Sequence, residues 1–84
     1  MPYSESYIKN KLIEGLNASH VEVEDQSDGC GAKFSVVVVS EAFQDKSLLQ
    51  RHRLVNAVLE KELKIIHAFS QKTLTLEQWE KQQS

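Results

Sequence analysis

The sequence predicts an α+β domain, a small mixed three-stranded sheet with helices packed on it, in the order helix, strand, strand, helix, strand, helix. Three observations predict it. Ile8, Leu12 and Leu16 repeat every four residues, the spacing of one helix face. His20-Val21-Glu22-Val23-Glu24-Asp25 alternates polar and apolar, the spacing of a half-buried strand. Val36-Val37-Val38-Val39 is apolar on both faces, as a central strand must be.

Taken in order, the first helix is predicted from Ser4 to Leu16, with Ser4 as N-cap, Ile13 widening the stripe and Asn17 as the stop. The first strand follows at His20–Asp25. Gln26-Ser27-Asp28-Gly29-Cys30-Gly31 reads as a turn, and Lys33 to Ser40 as the second strand. After a short connection, Glu41 to Lys46, one long helix is predicted from Ser47 to Leu63, with Leu48, Val55, Leu59 and Glu62/Leu63 tracing its inward face. Ile65 to Gln71 reads as the third strand. Thr75 starts a terminal helix, with Gln78 three residues on to close a capping box, and Trp79 is expected to pack on the core. A hairpin makes the first two strands antiparallel, and a helical crossover returns the third parallel to the second. The third strand then starts at the hairpin-turn edge, which brings His67 near Cys30 and leaves His20 at the opposite edge.

Residues 1–84 fit one domain. At this length folding hides only about 60–65% of the surface, which leaves little room for a deep pocket. With 26% charged and 40% hydrophobic residues the chain is expected to fold. Its longest apolar run falls far short of a membrane span, and Met1-Pro2-Tyr3-Ser4-Glu5 does not look like a signal peptide, so a cytoplasmic location is expected. A chain this small could also diffuse into the nucleus. One cysteine forbids an internal disulfide and a structural zinc site built on several cysteines. A net charge of −2, with Arg51-His52-Arg53 the one short basic cluster, argues against nucleic acid as the primary partner.

Few residues could carry chemistry. Cys30 lies between two glycines, with Asp25 and Asp28 near enough to oppose a thiolate; a coordinated metal would supply the charge to deprotonate it. His67 alternates with Ile65 and Phe69, where a partly buried structural role competes with ligation. His52 sits at the margin of the long helix's buried stripe, a packing position. Arg51 and Arg53 read as a solvated helix face or as docking charges. No Ser-His-Asp spacing and no paired general acid and base stand out, and Gly29-Cys30-Gly31 opens a strand rather than a phosphate-cradling helix. The chain is expected not to be an enzyme.

Three long segments carry a family resemblance: Val36-Val37-Val38-Val39-Ser40-Glu41-Ala42-Phe43, Leu48-Leu49-Gln50-Arg51-His52-Arg53-Leu54-Val55-Asn56 and His67-Ala68-Phe69-Ser70-Gln71-Lys72-Thr73-Leu74-Thr75. They resemble the BolA family, and Gly29-Cys30-Gly31-Ala32-Lys33-Phe34 resembles its eukaryotic cytosolic subtype. The resemblance implies a fold like the second class of KH domain. It also implies binding to a monothiol glutaredoxin, with a bridging 2Fe–2S cluster shared between the two proteins and glutathione. His67 would be the principal ligand and Cys30 the proposed second. The role implied is non-catalytic, in iron–sulfur cluster trafficking and iron homeostasis. Arg51, His52, Arg53 and Lys72 are the candidate partner-binding residues. The chain departs from the family pattern at Leu76, where relatives commonly carry proline. The alternative is nucleic-acid binding through the KH-like fold, but Gln44-Asp45-Lys46-Ser47 lacks the Gly-x-x-Gly clamp such domains use.

Overall fold

The computed structural model describes residues 3–27 and 31–83. Helix α1 spans Glu5–Leu16. Ser4 Oγ accepts the Tyr7 N–H at 3.1 Å, and Asn17, at φ 50°, closes the other end by donating its N–H to Ile13 O. Such an N-cap contributes about 1 kcal/mol. Strand β1, His20–Asp25, pairs antiparallel with β2, Lys33–Val39, and β3, Ala68–Leu74, pairs parallel with β2 on its other side. The valine strand is therefore central, as its two apolar faces demand. Phe34, Val36 and Val38 are buried with Ile8 and Leu12 of α1, each contributing roughly 1.5–3 kcal/mol.

The predicted long helix is two helices. α2 spans Leu48–Val58 and α3 spans Glu60–Leu63, with a bend at Leu59 (φ −103°, ψ 22°). The inward stripe runs Arg51, Val55, Leu59 and Glu62, and Leu48, expected on it, is 64% exposed. Leu59 and Glu62 are both buried, so the stripe continues across the bend. Gly15 is what lets α1 and α2 approach: a Cβ there would stand 2.8 Å from both methyls of Val58.

The third strand begins three residues later than predicted. Ile65 and Ile66 both donate their N–H groups to Glu62 O, so they complete the turn after α3 instead of pairing with β2. Pairing starts with Ala68 opposite Lys33 and ends with Leu74 opposite Val39, so the length of β2 sets that of β3. The terminal helix α4, Leu76–Gln83, has the expected capping box: Thr75 N–H to Gln78 Oε1 at 2.9 Å and Gln78 N–H to Thr75 Oγ1 at 3.2 Å. Trp79, expected on the core, is half-buried and stacks on the His20 ring instead.

Glu62 is a buried carboxylate. Its Oε2 accepts Lys11 Nζ at 2.6 Å and Tyr7 Oη at 2.7 Å, tying α3 to α1. Burial pushes this carboxyl up, but the hydrogen bonds from Lys11 and Tyr7 and the Lys11 charge outweigh it, so its pKa lies below the ordinary value. The same hydrogen bonds raise the pKa values of Tyr7 and Lys11.

Two outcomes are expected. Gly15→Ala should lower stability by about 1–3 kcal/mol in urea titration although alanine is the better helix former, because both Val58 methyls block the new Cβ. Glu62→Ala should cost roughly 1–3 kcal/mol, discounted from a fully buried pair because Lys11 stays one-third exposed. The contribution of the depressed Glu62 carboxyl is complete above its ordinary pKa of about 4 and lost as pH falls through the lower folded value. Lys11 and Tyr7, with raised values, contribute fully below about pH 10 and lose it above. The stability difference between wild type and Glu62→Gln, measured from pH 2 to 11, should therefore form a plateau that falls at both ends.

Candidate functional site

The parallel pairing of β3 carries the chain back to the β1–β2 turn. His67, between α3 and β3, donates its backbone N–H to Ala32 O at 2.8 Å, and Ala68 donates to the same oxygen at 3.2 Å. These bonds place His67 against Gly31. A Cβ on Gly31 would stand 3.1 Å from His67 Cβ, and Gly31 itself sits at φ +131°, where side chains rarely go. The imidazole is exposed, and among the described residues no side-chain hydrogen bond engages it. Cys30, the other predicted ligand, lies outside the described residues, with its neighbour Gly31 in contact with His67.

The expected edge arrangement therefore holds for His67, but its support is different. Ile65 is 56% exposed and belongs to the turn, so it does not hold the ring as a strand neighbour would. The backbone bonds to Ala32 and the contact with Gly31 position His67 instead. His20 lies at the opposite edge, paired with Val39. Its ring stacks on Trp79 at 4.5 Å between centroids, and its Nε2 lies 2.8 Å from Glu22 Oε2. Among the described residues, no three histidine, cysteine or acidic side chains gather as a metal site.

The predicted docking residues separate into two kinds. Arg51 is not on a solvated face: it is 9% exposed. Its Nε donates to Lys46 O at 3.0 Å, and its Nη1 to Gln78 Oε1 at 3.0 Å and, longer, to Thr73 O at 3.4 Å. It joins α2, β3 and α4 from inside. Its place four residues before Val55 was the signal for this, since both lie on the inward stripe. His52 is half-buried at the margin of that stripe, as expected, while Arg53 and Lys72 are exposed.

The loop before α2 has Asp45 at φ 61°. Ser47 and Gln50 close a capping box, Ser47 N–H to Gln50 Oε1 at 3.0 Å and Gln50 N–H to Ser47 Oγ at 3.2 Å. Ser47-Leu48-Leu49-Gln50 was the sequence signal for it. The Gln50 amide is thereby engaged, and Arg51 is turned inward, so the alternative of gripping a nucleic-acid backbone here loses two of its donors.

This geometry has counterparts. The family model described as BolA-like protein matches residues 12–78. BolA-like protein 2 of Mus musculus is 55% identical over 83 residues, covering 98% of this chain and 96% of that one. BolA-like protein 2 of Homo sapiens is 56% identical over 80 residues, covering 94% and 93%. The crystal structure of a Bol-like protein from Babesia bovis superposes with a TM-score of 0.92 at 39% identity, over 100% of this chain and 98% of that one. With the family model spanning most of its length and both close relatives matched nearly end to end, the chain belongs to the BolA family, of the eukaryotic BolA-like protein 2 type.

Proposed function

We propose that this chain is a non-catalytic partner of a monothiol glutaredoxin and helps to hold a bridging 2Fe–2S cluster between the two proteins. BolA-like proteins are generally regulatory or partner proteins, and the relatives above carry no enzyme name. The observation that carries the reading is His67: an exposed imidazole, free of side-chain hydrogen bonds among the described residues, fixed by its backbone against Gly31, the residue that follows Cys30 in the sequence.

These residues fit the group. A 2Fe–2S cluster takes four protein-type ligands, and imidazole can replace thiolate on one iron. His67 would be the principal ligand and Cys30 the second, which leaves the rest to the glutaredoxin cysteine and glutathione. When bound, the cluster supplies redox-active iron and sulfide. The chain supplies an imidazole pre-positioned on the sheet edge and an open side from which a partner's donors can approach. The proposed setting is iron–sulfur cluster trafficking and iron homeostasis in the cytoplasm and nucleus.

Mixed with a monothiol glutaredoxin, iron, sulfide and glutathione, the chain should form a coloured one-to-one complex, followed by visible absorption and circular dichroism. His67→Ala should abolish or severely destabilise it. Cys30→Ala should leave a cluster with an altered spectrum and a shorter lifetime. Gly31→Ala should strain the backbone by about 1–3 kcal/mol and displace His67, shortening the lifetime while both ligands remain. A stable cluster on the chain alone, or one that survives His67→Ala but not Cys30→Ala, would overturn this reading.

A further inference from the structure

At the opposite end of β3 from His67, roughly 20 Å away along the strand, a shallow groove of about 370 Å³ runs between the start of α2 and the end of β3. Leu48, Arg51, His52, Gln71, Lys72 and Thr73 are among the residues lining it. Three features there lack what they require. Arg51 is a buried cation whose hydrogen-bond acceptors are all neutral oxygens, and no carboxylate pairs with it among the described residues. Gln71 Oε1 and Thr73 Oγ1 are buried without a hydrogen-bond partner, and Thr73 is only 4% exposed. Leu48 and its neighbour Leu49 are 64% and 60% exposed at the rim.

We propose that this groove receives a short extended segment of the partner protein, carrying a carboxylate beside an apolar side chain. The carboxylate answers Arg51 and the exposed Lys72, and the apolar side chain covers Leu48. The exposed leucines decide between a peptide and a free anion, because an anion covers neither Leu48 nor Leu49. A peptide segment with a carboxylate answers Arg51, Lys72 and the leucines together.

The partner's identity rests on the glutaredoxin reading; the groove is a separate contact, which forms without the cluster. The test titrates metal-free monothiol glutaredoxin into the ¹⁵N-labelled chain and measures affinity by calorimetry. Amide shifts should concentrate at residues 48–52 and 71–74. Leu48→Asp and Lys72→Glu, both at exposed positions, should each weaken binding about tenfold or more. Lys61→Glu, an exposed charge reversal on α3, should leave it within twofold. Full affinity in both groove variants, binding seen only with the cluster loaded, self-association of the chain through these residues, or equal shifts with inorganic phosphate would each overturn the groove assignment and leave the cluster reading standing. A glutaredoxin that binds in neither metal-free nor cluster-loaded form would instead remove the reading it rests on.

Discussion

The structure depends on β2 being held from both sides. Phe34, Val36 and Val38 fill one buried face and Val37 is half-buried on the other, so the strand is stable only between two partners, and each partner's register is then set by it. β1 pairs along it from Asp25 opposite Phe34 to His20 opposite Val39. β3 pairs along it from Ala68 opposite Lys33 to Leu74 opposite Val39. Ala32 lies one residue before this strand, and its carbonyl takes the N–H groups of both His67 and Ala68. The candidate ligand is thus anchored where the central strand begins. Its position is a consequence of burying Phe34, Val36 and Val38.

Glu62 decides how the chain arrives at that edge. Its backbone oxygen receives the N–H groups of Ile65 and Ile66, and its carboxylate is gripped by Tyr7 and Lys11 of α1. One residue therefore ties the first helix to the segment leading into His67. Buried ion pairs add little net stability, because desolvation offsets their attraction, but they penalise any arrangement that separates them. Here the arrangement enforced is α3 held against α1.

Much of this was legible in the sequence, for identifiable reasons. α1, β1, β2 and the α4 capping box each rest on local periodicity or local cap chemistry, and all four stand as read. The failures occur where a distant residue decides. Arg51 read as solvated because of its charge, although its place four residues before Val55 put it on the inward stripe; the neutral acceptors that hold it there lie on β3, on α4 and in the preceding loop. Ile65-Ile66 read as strand because β-branched residues suit a pleated surface, yet the Glu62 carbonyl drew their amides into a turn. The neighbourhood of His67 and the hairpin turn was legible from topology alone. What holds His67 there was not, because it needs the Ala32 carbonyl and the space left by Gly31.

A chain whose described candidate ligand is one exposed imidazole at a sheet edge faces a problem of affinity, because a small exposed edge offers little apolar area to a partner. Docking elsewhere on the same rigid sheet changes the problem. Once a partner is held at the far end of β3, its donors reach His67 as an intramolecular event, at an effective concentration that weak ligands could not otherwise match. The requirement is that the two ends keep a fixed separation, which β3 provides by pairing along its whole length with a buried strand. The groove would then set which protein approaches, and His67 what it exchanges. Under the proposed reading, this division would leave the ligand edge open enough for a cluster to leave, because the partner would be held elsewhere.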